Sequence, residues 1–264
     1  MNTDLIYVYC VSHSPPGQTI NLETNGLKSL RVNDFYVIVK IVSESEYSEE
    51  NLKLNLSNVQ WLELNAREHI AIIMMFMKHC TVIPFKFGTI FQTEDNLKKF
   101  IYDYSDSLTE NLIRVEWKEE WAIKFFCDRK TLSIQIDELS EEAAAMERQI
   151  MASSPGKAFL LKRKKNDLIE NEMNRLSKFY GQECYNEFKN LSESTSLNNI
   201  LPKEFTGRND EMILNATFLV NKDKVNEFVS TVRFLKKKYS GLGFDIETTG
   251  PWPPFSFISI KEKQ

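Results

Sequence analysis

The order of apolar and polar residues predicts strands at four places along the chain. Residues 5–11 and 34–42 are predicted as strands, the second with Phe35, Val37, Val39 and Ile41 on one face, and a turn-rich stretch with a short strand is expected between them. The run EWAIKFF places Trp121, Ile123 and Phe125 on one face, and EMILNATFLV at residues 211–220 has the same period of two. Each of these runs therefore has one face that can cover an apolar core.

Helical periodicity separates these strands in the first half of the chain. A helix is predicted from about Ser57 to His79, because Ser57 and Gln60 have the spacing of a capping box; Asn65 with Glu68 offers a second possible start. Its later half, HIAIIMMFMKHC, is apolar nearly all round, which indicates a buried helix; a methionine-rich surface beneath a partner is the alternative. A polar helix from Thr93 to about Asn111 follows the extended segment VIPFKFGTIF.

The order of these elements is strand, strand, helix, strand, helix, strand. Such a split βαβ arrangement is typical of ferredoxin-like α+β domains. We therefore expect residues 1–128 to form an N-terminal ferredoxin-like variant.

A heptad pattern marks the start of the second half. Apolar residues recur at spacings of 4, 3, 4, 3 and 4 in the series Leu132, Ile136, Leu139, Ala143, Met146 and Ile150. A second amphipathic run contains Ile169, Met173, Leu176 and Tyr180. Pro155 and Gly156 interrupt the chain between the two runs, so we expect an antiparallel helical hairpin in which each helix covers the other's apolar seam.

The remaining elements complete a second α+β domain. A helix through residues 225–235 and a strand at 242–248 follow the strand at 211–220. We expect residues 129–264 to form a small antiparallel sheet with the helical hairpin attached. The predicted fold class is thus α+β with two domains.

The terminal stretch TTGPWPPFSF, residues 248–257, is unusually stiff and apolar. Its three prolines each fix φ and remove an amide donor, so the segment cannot lie in the middle of a sheet. We expect it to end one strand and to lead into another at Phe255–Ile260. Trp252 either fills a core or contacts a partner; a rigid turn that closes a small sheet over its helices favours the core.

Composition and charge limit the function classes. The 264 residues have a formal net charge of −4, which argues against a general nucleic-acid role, because phosphate binding relies on a basic surface. The chain has no basic leader and no apolar run long enough for a membrane span, so a cytoplasmic protein is expected. Its four scattered cysteines predict structural thiols in a reducing compartment.

The sequence shows no convincing catalytic or cofactor motif. Phosphate loops, zinc-protease signatures and nucleophile elbows are absent from it. His69 and His79 are ten residues apart on one predicted helix, about 15 Å along its axis and too far to share a metal. The charged runs SESEYSEE, DELSEEAA, KRKK and KKK are interpreted as solvated loop and helix faces. We therefore expect no catalytic centre, cofactor or metal.

Several segments in their order along the chain resemble the gas vesicle protein family GvpF/GvpL. They are VIPFKFGTIF, EWAIKFF, SPGKAFLLKRK, NATFLV and TGPWPPFSF, and together they span almost the whole chain. The resemblance implies a non-enzymatic accessory protein of gas vesicle assembly with two α+β domains, the first ferredoxin-like. It implies as partners the small apolar shell protein GvpA and other accessory proteins. A ligand-binding or enzymatic domain on a ferredoxin-like scaffold is the alternative.

The resemblance also assigns family-motif residues, which are candidates for an interface. The internal P-x-x-F-G-T element falls on Pro84, Phe87, Gly88 and Thr89. The terminal element falls on Gly250, Pro251, Trp252, Pro253, Pro254, Phe255, Ser256 and Phe257. Phe255 stands where the family commonly has tyrosine, which leaves a polar role for that position in doubt.

Overall fold

The computed structural model describes residues 4–17 and 20–261 and confirms an α+β fold with two antiparallel sheets. The chain divides into two compact units by its spatial contacts. The first comprises the described residues of Met1–Glu120 and Pro251–Gln264, and the second is Trp121–Gly250. This division differs from the expected boundary between residues 128 and 129, because 121–128 lie with the second unit and 251–261 lie with the first.

The first unit contains an antiparallel sheet of three longer and two short strands. Its strands are β1 (Asp4–Ser12), β2 (Leu27–Val32), β3 (Phe35–Ser43), β4 (Ile83–Pro84) and β5 (Ile90–Phe91). They are ordered β2-β3-β1-β4, and β5 also pairs with β1. Ile6 and Val8 of β1 face one apolar cluster, whereas Tyr7 and Tyr9 face another. A bulge after Val8 shifts this alternation by one residue.

Helices cover both faces of this sheet. They are α1 (Glu44–Tyr47), α2 (Glu49–Leu56), α3 (Val59–Met77), α4 (Glu94–Asp103) and α5 (Ser105–Val115). Helix α3 packs against the Tyr7 face through Ile72, Ile73 and Phe76. Helices α4 and α5 pack against the opposite face through residues such as Ile101 and Leu108.

The helix termini refine three sequence-based predictions. Helix α3 begins after Asn58, whose side chain accepts hydrogen bonds from two backbone amides, rather than after Ser57. The SESEYSEE run, predicted as a solvated loop or helix face, contains no buried residue, as expected, and forms α1 and the start of α2, because Ser43 and Ser48 each cap a helix. The helix expected from Thr93 to Asn111 breaks at Tyr104 into α4 and α5.

The second unit contains the other antiparallel sheet. Its strands are β6 (Lys118–Cys127), β7 (Ser194–Leu197), β8 (Glu211–Asn221) and β9 (Phe244–Trp252), ordered β7-β8-β6-β9. The prediction had counted the strand at 120–126 in the first domain. Ile123 and Phe125 instead lie in the apolar core of the second unit, beside Phe218 and Ile246.

A long helical hairpin packs on this sheet, as the heptad pattern predicted. The helices of the second unit are α6 (Arg129–Leu139), α7 (Glu141–Met151), α8 (Pro155–Asn190), α9 (Lys203–Thr206) and α10 (Val225–Tyr239). Helices α6 and α7 both contact α8, and three residues separate α7 from α8. A break at Ser140, which caps α7, divides the first arm. Leu139, just before this break, is half-buried against the core.

We expect Ile136→Ala to lower the free energy of unfolding by about 2–5 kcal/mol, because it leaves a cavity in a packed seam. Ile134, two positions earlier in α6, provides a matched control: Ile136 is 1% exposed and Ile134 is 76% exposed. Ile134→Ala should change stability by no more than about 0.5 kcal/mol. Urea denaturation of both variants measures the difference, and equal losses would show that the seam is not buried.

Candidate functional site

The terminal motif begins in an edge strand. Strand β9 continues through Trp252, four residues beyond the predicted end at 248, because it lies at the end of its sheet, where proline is tolerated. Gly250 has a φ of 147°, a backbone angle that favours glycine. The expected strand at Phe255–Ile260 is not formed; a 3-10 turn occupies Phe255–Phe257.

The tryptophan of this segment is more exposed than the sequence led us to expect. Trp252, which the sequence favoured as a core residue, is 38% exposed. Phe257 is 3% exposed, and Pro253 and Pro254 are also buried. These three residues anchor the segment in the first unit, and Trp252 lies at its surface.

A buried carboxylate holds the terminal motif in place. Glu120 accepts a hydrogen bond from the Ser256 backbone amide at 2.9 Å and another from the Ser256 hydroxyl at 2.7 Å. Burial raises the pKa of Glu120 above its usual value, and the two hydrogen bonds from Ser256 oppose that shift. The interaction therefore offsets part of the cost of burying a carboxylate.

A second clamp lies three residues further along. The side-chain amide of Asn111 donates to the Ser259 carbonyl at 2.9 Å, and the Ser259 amide donates to Asn111 Oδ1 at 3.1 Å. This reciprocal pair imitates the pairing of two strands and satisfies both backbone groups of Ser259. Ile258 and Ile260, on either side of it, pack against the apolar cluster beneath α4 and α5.

The internal motif is fixed to strand β1 by backbone hydrogen bonds. Pro84 pairs with Cys10 in the sheet, and the Val8 amide donates to the Thr89 carbonyl at 3.0 Å. The Thr89 hydroxyl donates to the Lys86 carbonyl at 2.7 Å, which closes the turn. Gly88 has a φ of 80°, so the turn requires glycine at this position.

His69 of α3 connects this turn to the sheet. One ring nitrogen, Nε2, donates to the Phe85 carbonyl at 3.0 Å, which leaves Nδ1 to accept from the Tyr7 hydroxyl at 2.9 Å. The Gly88 amide in turn donates to the Tyr7 hydroxyl at 3.2 Å. Burial lowers the pKa of His69, so the ring is neutral at physiological pH.

The two family-motif segments meet at this histidine. The ring of Phe87 is 5.6 Å from the His69 ring in an edge-on arrangement, and Phe255 stacks on the same ring at 6.4 Å. Phe255 therefore contributes an aromatic face, a role that does not need the hydroxyl of a tyrosine. Tyr47 and Trp61 extend the aromatic cluster towards α1 and α3.

Sequence reasoning missed the residues that join the motifs. His69 had been considered only as a metal ligand, although a single imidazole within an apolar helix face was the available signal. Glu120 and Asn111 stood in polar stretches with nothing to distinguish them. Their polar groups are engaged in holding backbone segments together, so the arrangement maintains the shape of the surface that presents the motifs.

Metal-ligand clusters, reactive cysteines and membrane-spanning helices were considered within the described ranges 4–17 and 20–261. These residues contain no group of three or more His, Cys, Asp or Glu side chains that could hold a metal ion. The four cysteines are unpaired thiols, as the sequence predicted, and burial raises the pKa of Cys184 to about 12. None of the helices in this part of the chain is both long and apolar enough to cross a bilayer.

We expect Tyr7→Phe to destabilise the protein by roughly 1–3 kcal/mol, because it leaves His69 Nδ1 and the Gly88 amide without their partner. Tyr9 is a matched control: it lies in the same apolar cluster, and no described residue hydrogen-bonds to its hydroxyl. Tyr9→Phe should be nearly neutral. Chemical denaturation distinguishes the two, and an equally mild Tyr7→Phe would exclude a structural role for the hydrogen-bond chain.

We expect Ser256→Ala to cost roughly 1–3 kcal/mol at neutral pH and less in acid. The folded-state pKa of Glu120 is already above its unfolded value, so stability from this group falls as pH rises between those two values. Losing the Ser256 hydroxyl raises the folded-state pKa of Glu120 further. The fall in stability then extends to higher pH. Ser259→Ala is the control, because Ser259 contacts Asn111 only through its backbone. A pH-independent loss in thermal melts of Ser256→Ala would contradict this account.

Comparison with known proteins places the chain in a family. Residues 5–259 match the family described as gas vesicle synthesis protein GvpL/GvpF. Gas vesicle protein L of Streptomyces sp. (strain CB03234) is 24% identical over 269 residues, which cover 100% of this chain and 96% of that protein. Gas vesicle protein L1 of Halobacterium salinarum is 22% identical over 262 residues, covering 95% of this chain and 89% of that one.

Solved structures show the same fold. The crystal structure of GvpF from Anabaena sp. PCC7120 is similar with a TM-score of 0.70 at 18% identity, over 98% of this chain and 100% of that one. GvpF from Microcystis aeruginosa gives a TM-score of 0.66 at 17% identity, over 97% and 99% of the two chains. With its family match extending over nearly its whole length, the chain belongs to the GvpL/GvpF family of gas vesicle proteins.

Proposed function

We propose that this protein is a non-enzymatic accessory factor that assembles or nucleates gas vesicles in the cytoplasm. The match to a gas vesicle synthesis family over residues 5–259 is the observation that carries the proposal. The partners we propose are the small apolar shell protein GvpA and other accessory proteins of the vesicle. The protein acts on them by contact, without a cofactor.

The proposed contact surface includes the exposed part of the terminal motif. Trp252 is 38% exposed and follows Pro251, and the buried residues Pro253, Pro254 and Phe257 fix the chain just beyond it. A tryptophan on such a stiff backbone loses little conformational freedom when it binds. Tryptophan is also enriched among the residues that dominate binding energy at interfaces.

The construction of the first unit supports this role. The Glu120–Ser256 and Asn111–Ser259 clamps hold the terminal segment without using Trp252. Apolar surface displayed by an assembly factor must stay in a fixed position, because a mobile apolar segment would also promote non-specific association. The motif residues thus combine a buried anchoring set with one large exposed aromatic side chain.

We expect Trp252→Ala to leave the melting temperature nearly unchanged and to weaken capture of the shell protein by roughly tenfold or more, about the effect of losing an aromatic hot spot. The measurement is a pull-down of the tagged protein from vesicle-forming cells, with the shell protein quantified by immunoblot. Vesicle formation in a strain that carries only the variant provides the second readout.

Two variants serve as controls for this experiment. Phe257→Ala, at a site 3% exposed, should lose about 3–5 kcal/mol of stability and so identify the effect of unfolding. Trp117→Ala removes another exposed tryptophan of the same unit outside the motif and should leave shell-protein capture intact. Normal capture and normal vesicles with Trp252→Ala would place the interaction elsewhere.

A further inference from the structure

The end of the helical hairpin exposes apolar and basic side chains together. We define the hairpin tip as Met151 with residues 155–164, which form the first three turns of α8. Met151 is 78% exposed, Phe159 73% and Leu160 63%. Residues 151–165 contain four lysines, one arginine and no acidic residue, although the whole chain has a net charge of −4.

These side chains form an ordered stripe around the helix. At about 100° per residue, Phe159, Arg163 and Leu160 lie within roughly 100° of one another on the exposed side of α8. Basic side chains border the stripe on both sides, with Lys157 and Lys164 along one border and Lys162 along the other. Such a stripe is complementary to apolar groups bordered by carboxylates.

Most basic side chains near the tip form no ion pair with a described residue. Lys165, which faces the first arm of the hairpin, pairs with Asp137 and Glu147 at 2.8 Å each. By contrast, no carboxylate among the described residues pairs with any of the other four basic groups: Lys157, Lys162, Arg163 and Lys164. Lys157 also lies in the first turn of α8, where the helix dipole opposes a cation. Local helix stability therefore does not explain the charge of the tip.

A surface of opposite charge lies on the first unit. We define the acidic corner as residues 44–64, which form α1, α2 and the start of α3 and contain five glutamates and one lysine. A shallow hollow of about 550 Å³ lies here, lined by Glu44, Ser45, Ser48, Glu49, Glu50 and Asn51. The apolar residues Leu54, Leu56, Val59 and Leu64 are exposed on the same helices.

We propose that the hairpin tip of one molecule docks on the acidic corner of a second copy of this chain. The tip is a convex helix end with a basic-bordered apolar stripe, and the corner offers an acid-lined hollow beside exposed leucine and valine side chains. The two surfaces differ, so the contact is heterologous. Each copy has one tip and one corner and can therefore take part in two such contacts.

Charge complementarity favours a second copy over an anionic membrane. The tip exposes only three large apolar side chains, and the rest of the chain is net acidic, which opposes approach to a surface of like charge. The acidic corner, in turn, would have no role in membrane binding. This proposal uses surfaces distinct from the terminal motif and does not rest on the proposed binding of the shell protein.

Sedimentation velocity over a concentration series tests the proposal through two charge reversals. The tip variant is Lys162→Glu, Arg163→Glu and Lys164→Glu; the corner variant is Glu49→Lys and Glu50→Lys. Each should weaken self-association at least about tenfold, because like charges then face one another. High salt should also weaken the wild-type association. Reversing Lys236 and Lys237, exposed on α10, is the matched control and should leave it unchanged.

Mixing the two variants gives the decisive result. The acidic tip of the first variant and the basic corner of the second are complementary, so the mixture should re-associate although each variant alone remains monomeric. A wild-type protein that stays monomeric at all concentrations, or a mixture that fails to associate while circular dichroism shows both variants folded, would overturn the proposal. Loss of binding to vesicles of anionic lipid by the tip variant, without any change in self-association, would also overturn it and identify lipid as the occupant.

Discussion

A buried imidazole must satisfy both of its ring nitrogens, and this requirement determines how the first unit is assembled. His69 lies on α3, but its partners lie on β1 and in the turn after β4. Tyr7 can donate to the ring only if its hydroxyl also lies beside the Gly88 amide. Three separate segments must therefore adopt their native positions together, since leaving any of these groups unpaired costs more than the hydrogen bond itself contributes.

The position of the terminal segment in the first unit depends on the same requirement for hydrogen-bond partners. Here the buried group is a carboxylate instead of a neutral ring. A carboxylate as buried as Glu120 is unfavourable without donors, and Ser256 provides two of them. Asn111 then satisfies the backbone of Ser259, where no strand is available. Polar contacts specify the register of the segment, and Phe257 supplies apolar burial. Neither clamp involves the side chain of Trp252, which is 38% exposed.

The sequence predicted the elements whose formation depends on residues close together in the chain. The hairpin, β3 and β8 all followed from local periodicity, because a repeat of 3.5 or 2 residues identifies an element and its buried face without long-range information. The sequence did not reveal which sheet contains β6, because its alternation fits either one. The meeting of Phe87 and Phe255 at His69 depends on contacts between distant residues, and no local pattern encodes it.

The outcomes at α1, α2 and Trp252 show two different limits of reasoning from local sequence. Glutamate-rich segments were interpreted by their polarity, but Ser43 and Ser48 supply caps, and glutamates in a first turn stabilise a short helix. Proline stiffness was interpreted as a device for core packing, but the same stiffness can hold a side chain at the surface. At α1 and α2 the polarity of the sequence indicated solvent exposure, and the caps decided the backbone. At Trp252 the prolines indicated a stiff backbone, and the exposure of the side chain depended on tertiary contacts.

The exposed apolar residues of the hairpin tip and of the acidic corner lie beside charges of opposite sign. At the hairpin tip they are bordered by cations, and at the acidic corner they lie among carboxylates. Two tips repel each other, as do two corners, so apolar attraction is opposed in every like pairing and reinforced only in the unlike one. The charges beside each apolar patch thus favour the contact between a tip and a corner. Hydrophobic burial alone would also allow contacts between two tips or two corners. A protein that must expose apolar surface can avoid non-specific aggregation in this way, because apolar burial is favoured only where surfaces of opposite charge meet.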